Sequence, residues 1–196
     1  MRSAAAFLLL SLTPFHAADR PTLLADVRKF APQVTLAPEN LDSNVIAGHY
    51  TENGPELKRR VLFFLTGREL YLFPDGSYFF TDWGCSSPET IYDRGFWSYL
   101  DGYVELRSDR SLPPRNPPLD HRFAVLQYEI GEEHGYRLMG TDKEFQYFHE
   151  NTEADDGDFM FLLCSQVQVE PLDAQKGKAL KDELLRRAWN PAPFFR

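Results

Sequence analysis

Histidines, cysteines and carboxylates are the side chains here best able to hold a metal, attack a carbonyl or move a proton near neutral pH. Among His16, His49, His121, His134 and His149, no two have the spacing that would bring both onto one ion. Glu153, Asp155, Asp156 and Asp158 surround Gly157. A calcium loop of the EF-hand type needs alternating oxygen ligands before its glycine and a glutamate six residues after it, so this stretch reads as a solvated acidic loop. Ser86 and Ser87 follow Cys85 with no recognisable base beside them, which fits a turn. The serine-nucleophile elbow, the His-Glu-x-x-His zinc motif, the phosphate-binding glycine loop and the dinucleotide fingerprint do not occur. No metal and no cofactor is expected. A hydrolase would require some of His49, Asp82, His121 and Glu129 to converge in space without any motif to announce it.

The other candidate set is aromatic. Tyr71, Phe73, Tyr78, Phe80, Trp83 and Trp97 lie within one stretch of alternating strands, in a chain with 16 Phe and 9 Tyr. They either line a cavity for a small apolar ligand or fill the interior of a small barrel; a filled interior is the commoner use of such residues.

The elements that position these residues follow from the pattern. Residues 19–31 predict a helix with Asp19 or Thr22 as cap and Pro21 in its first turn, and Pro32 and Pro38 bracket an extended linker. Strands are expected over 46–51, 61–65, 69–73, 77–81, 95–99, 103–107, 123–130 and 136–139, with Phe159 to Val169 as a long last strand carrying Cys164. Pro74-Asp75-Gly76 and Asp101-Gly102 mark hairpin turns. The proline-rich stretch 108–119 is a loop, because proline cannot donate to a ladder. Thr141 to Glu144 has capping-box spacing and opens a short helix carrying Phe145 and Phe148 on one face. Residues 173–189 form an amphipathic helix, with Leu180, Leu184 and Ala188 recurring every fourth position. Leu70 and Leu72, and equally Tyr71 and Phe73, are apolar on both faces of their strand. Both faces must therefore be covered, as in a closed sheet sheltered outside by a helix.

Leu70-Tyr71-Leu72-Phe73-Pro74-Asp75-Gly76-Ser77-Tyr78-Phe79, then Gly95-Phe96-Trp97, then Gly102-Tyr103-Val104-Glu105-Leu106, resembles the meander of small extracytoplasmic lipocalin-like (calycin-type) barrels. The N-terminal domain of the copper-resistance and envelope-stress lipoproteins belongs to that group. The resemblance implies a mostly β fold, an antiparallel meander forming a lipocalin-like barrel. The proline loop, the short helix before the last strand and the C-terminal helix are additions to that pattern, so the fold expected is such a barrel with flanking N- and C-terminal helices and one short helix before the last strand. The resemblance also implies an envelope or extracellular address. It transfers no ligand, and the lipoprotein cysteine is missing.

The first residues agree with export. Arg2, the apolar run Ala4 to Leu12 and the small residues Ala17 and Ala18 are laid out as a signal peptide, too short to span a bilayer. The expected organisation is thus a signal peptide over 1–18, a helix and linker over 19–38, a barrel over 39–171 and a terminal helix and tail over 172–196. In an oxidising compartment Cys85 and Cys164 are expected to form one disulfide, the alternative being two thiols. The formal charge of −8 becomes −9 when Arg2 leaves with the signal peptide, which excludes sequence-independent binding to nucleic acid. No transmembrane segment is expected after cleavage. The function expected is an exported, non-enzymatic binding or interaction module for a small apolar ligand or an envelope protein, with a hydrolase or a structural envelope protein as alternatives.

Overall fold

The computed structural model describes residues 19–61, 65–109, 120–152 and 157–188. The expected signal peptide, most of the expected 61–65 strand, most of the expected proline loop, residues 153–156 and the expected tail lie outside them.

After a short strand β1 (Thr35–Leu36), eight strands follow: β2 (Gly48–Thr51), β3 (Thr66–Leu72), β4 (Ser77–Gly84), β5 (Ser87–Leu100), β6 (Tyr103–Ser108), β7 (Arg122–Ile130), β8 (Glu133–Gly140) and β9 (Gln166–Pro171). Each of the eight pairs antiparallel with the next, and β9 pairs back onto β2, so the sheet closes into a ring. β1 adds to β7 beyond the short β6 pairing. The expected turns join the hairpins: Gly76 and Gly102 have φ of +79° and +82°, with Asp101 at +53°, backbone that an ordinary side chain resists.

Alternation along the strands sorts the side chains. Tyr50, Leu70, Leu72, Tyr78, Phe80, Trp97, Val104, Leu106, Phe123, Val125 and Leu138 meet inside the ring as one buried cluster. Ala37, Ile46 and Ala47 join that cluster beside the hairpin turns, where Ile46 ends a one-turn helix α2 (Ser43–Ile46) capped by Asp42. On the outside, the helices α1 (Arg20–Val27), α3 (Pro55–Arg60), α4 (Lys143–Asn151) and α5 (Gly157–Leu163) cover β7 and β8. The last helix, α6 (Ala174–Arg187), covers Tyr71, Phe73 and Phe79 with Leu184 and Ala188. Lys181 bonds Asp75 and Ser77 of the first hairpin turn, each at 2.7 Å, and Arg187 meets Glu89 at 2.6 Å. The two-sided apolar pattern of the hairpin therefore has two separate partners, the ring interior and α6.

Several expectations need correction. Phe159 to Leu163 is helix α5 rather than the start of the last strand, which begins only at Gln166. A short unbroken apolar run has no period to separate helix from strand; here Met160, Phe161 and Leu162 bury against the other helices. Two helices, not one, thus precede the last strand. The residues after Asn53-Gly54 form α3, with Pro55 in its first turn, and Ile46 belongs to α2 instead of β2. No disulfide joins the cysteines: Cys85 is exposed in the turn between β4 and β5, whereas Cys164 is buried at the end of α5.

Leu184 is fully buried between α6 and the ring. Leu184→Ala is expected to cost about 2–5 kcal/mol, the usual range for such truncation, read as a lower urea midpoint at unchanged slope.

Candidate functional site

At the end of the ring away from the hairpin turns, the inner face changes character. The register that places Leu70 opposite Phe80 places Arg68 opposite Asp82. Glu52, the residue after β2, donates its backbone N–H to the Arg68 carbonyl at 3.4 Å. Glu144, in the first turn of α4, approaches from the other side. The Arg68 guanidinium pairs with the Glu52 carboxylate and lies 3.9 Å from Oε1 of Glu144. These side chains are 18%, 36% and 14% exposed for Glu52, Arg68 and Glu144. The arginine is the most accessible member of a largely desolvated group.

Glu144 is held by backbone. Its Oε2 accepts the Gly140 N–H at 2.8 Å. The carboxylate of Asp120 accepts the N–H groups of Lys143 at 3.0 Å and Glu144 at 3.2 Å. The helix start is thus capped by a residue preceding β7 rather than by the expected local capping box; Asp142 makes no side-chain cap. A Cβ at Gly140 would stand 2.0 Å from Oδ2 of Asp120, so only glycine admits this approach.

Trp83 forms the adjoining wall. Its ring lies over Gly67, where a Cβ would come within 2.6 Å of it. The indole N–H donates to Oε1 of Glu69 at 2.9 Å, and Oε2 of Glu69 bonds Nε2 of His49 at 2.8 Å. His49 in turn stacks on Tyr71, with ring centroids 4.5 Å apart. Between these groups opens a cleft of about 390 Å³ lined by Glu52, Arg68, Asp82, Trp83 and Ser87.

Burial, with Asp120 and Glu52 nearby, pushes the Glu144 carboxyl up to about 8 against the pull of Arg68. Burial also raises Glu52, partly offset by the Arg68 charge. Although burial works against the guanidinium, Glu52 and Glu144 hold its proton more firmly than usual. Burial and the two glutamates push the Cys164 thiol up to about 12, so it is not a nucleophile at neutral pH. The site therefore offers a fixed cation, ionisable carboxylates of differing environment and an aromatic wall.

The six aromatic candidates are divided. Tyr78, Phe80 and Trp97 belong to the packed interior, Tyr71 and Phe73 lie outside under α6, and Trp83 borders the cleft with its ring on the outer face, over Gly67. The four hydrolase candidates are not gathered either. His49 lies on the outer face and Asp82 on the inner one. His121 and Glu129 sit near opposite ends of β7, roughly 25 Å apart along a strand. His149 bonds Asp26 at 3.0 Å on the surface. Among the described residues no three His, Cys, Asp or Glu side chains gather in a way that would hold a metal ion, and no helix is long and apolar enough to cross a membrane.

Sequence reasoning missed Glu52, Arg68 and Glu144. A signal for two of the group was present: Arg68 and Asp82 share the parity of the buried Leu70 and Phe80, so each is a charged residue at an inward position. No family model, curated protein or solved structure matches the chain.

In the folded protein Glu144 keeps its proton to about pH 8, whereas the unfolded chain releases it near 4.5. The native state binds more protons across that window, so this group lowers stability as pH rises through it. Urea midpoints at pH ~5 and ~9 should fall less in Glu144→Gln than in the parent protein; an equal fall in both would show that Glu144 titrates normally.

Proposed function

We propose that the protein is an exported binding module, a lipocalin-like barrel that takes a small ligand in the cleft at the open end of the ring and not among the aromatics of its interior. The observation that carries this reading is Arg68 held between Glu52 and Glu144 at the rim of an otherwise apolar interior. Desolvated charges contribute little net stability, and well-packed apolar residues of similar size commonly serve a fold as well or better. Charge drawn into a cleft, with shifted ionisation, is the usual signature of a site that handles a ligand.

The up-and-down order of eight antiparallel strands supports the lipocalin-like assignment, and the apolar N-terminal run supports export. The interior is already occupied by its own side chains, from Tyr50 through Leu138, which favours the rim over the centre as the place for a ligand.

Gly84 lines the cleft, and a Cβ there would meet only ordinary contacts, the nearest at 3.6 Å from the Leu65 carbonyl oxygen. Gly84→Leu should therefore fill the cleft while leaving the fold intact. Native mass spectrometry of protein released from its own envelope without denaturant should show a small adduct on the parent protein and none on the variant. An adduct retained by Gly84→Leu, or a parent protein without one, would count against the cleft. In the same spectra, export predicts a mature mass beginning after Ala17 or Ala18.

A further inference from the structure

The helices leave one strip of the ring's outer face in solvent. α6 lies over β3 and β4, and α1, α3, α4 and α5 lie over β7 and β8. Between the two sets, Trp97 and Leu106 turn into the interior, so Phe96, Ser98, Glu105 and Arg107, which alternate with them, face outward. All four are exposed. Phe96 is 68% exposed, and Leu100, farther along the same row, is 59% exposed. Beside them lies a hollow of about 380 Å³ lined by Phe96, Trp97, Ser98, Glu105, Leu106 and Arg107. Apolar side chains grouped around a hollow and rimmed by charge are the marks of a docking surface.

The strip is laid out to fit a copy of itself. Register pairs Phe96 with Arg107 and Ser98 with Glu105 across β5 and β6. The four therefore form two adjacent rows, a ring and a cation in one, a small hydroxyl and an anion in the other. A two-fold axis running across the strands at the level of the Trp97–Leu106 pair lies between the rows and exchanges them. Each strand then lies over its own copy and runs the opposite way, a packing open to aligned sheets. Phe96 meets Ser98 of the second copy, so a large side chain stands over a small one and enters the hollow. Glu105 meets Arg107 of the second copy, and by symmetry both contacts occur twice. Arg107 pairs with no carboxylate among the described residues, and Glu105 has only an exposed pair with Arg122 at 3.4 Å. An unlike partner would require no such exchange of large with small and acid with base.

We infer that two copies of the chain associate through this strip, about a two-fold axis that sets Phe96 against Ser98 and Glu105 against Arg107. The strip is narrower than the faces of standard complexes, which bury about 1,200–2,000 Å² in total, so the dimer is a weak one, about micromolar or weaker. The opposed strand directions place the two clefts at opposite ends of the pair, and the association does not depend on what those clefts bind.

Sedimentation velocity of the purified protein from about 1 μM to about 1 mM tests this. The parent should pass from monomer to dimer over that range. Phe96→Ser should stay monomeric while keeping the parent's melting temperature, since the ring is exposed. Glu105→Arg and Arg107→Glu each set like charges face to face across the axis, and each should weaken association about tenfold or more. Exchanging both residues at once restores opposite charges and should recover most of the parent's affinity. Glu105→Arg loses the Arg122 pair with or without the second change, so the difference between the two reads the contact across the axis. A parent that stays monomeric throughout overturns the inference and leaves the strip to an unlike partner. A dimer indifferent to Phe96→Ser forms through another face and overturns it as well. A double exchange that associates no better than Glu105→Arg contradicts the facing of the two rows.

Discussion

The pairing of β9 with β2 is the constraint from which the rest of this structure follows. Without it the meander would be an open sheet with unpaired edges; with it the strands enclose a volume that must be filled. Closure gives every strand an inner face that water does not reach, and the aromatic and aliphatic side chains of Tyr50 through Leu138 occupy that space. It also leaves an outer face too apolar to be left bare over β3, β4, β7 and β8. The helices answer this second demand: α6 covers one side and α1, α3, α4 and α5 the other.

The same closure explains why the site is at one end. The hairpin-turn end has Ala37, Ile46 and Ala47 packed into the interior cluster. At the opposite end β2 passes into α3 and β8 into α4, and the inner layer includes Glu52, Arg68 and Asp82. Polar groups are tolerable there because the cleft admits solvent or ligand, and because Glu144 and Asp120 are tied to backbone amides. Trp83, fixed through Glu69 to His49, links this wall to the aromatic stack on the outer face. The site is thus joined to both layers of the fold.

Much of the scaffold was legible in the chain. The Asp-Gly turns, the two-sided hairpin and the capped helices at either end carry local chemistry that dictates their conformation. Phe159 to Leu163 was not legible, because five apolar residues in succession suit a buried strand as well as a buried helix, and only packing decides. The cysteine pair shows the same limit: a shared compartment makes a disulfide favourable but does not bring two side chains together. The cleft escaped because Glu52, Arg68 and Asp82 are far apart in sequence and aligned only by strand register, with Glu144 brought beside Arg68 from α4. Arg68 and Asp82 could have been noticed by parity.

The account stands on the ligand occupying the polar end of a filled ring. A crystal structure of the protein isolated from its native source without denaturant tests this most directly. It should show density in the cleft beside Arg68 and Asp82, with Tyr78, Phe80 and Trp97 unmoved. Density among those three interior aromatics, with Trp97 displaced to admit it, would contradict the account.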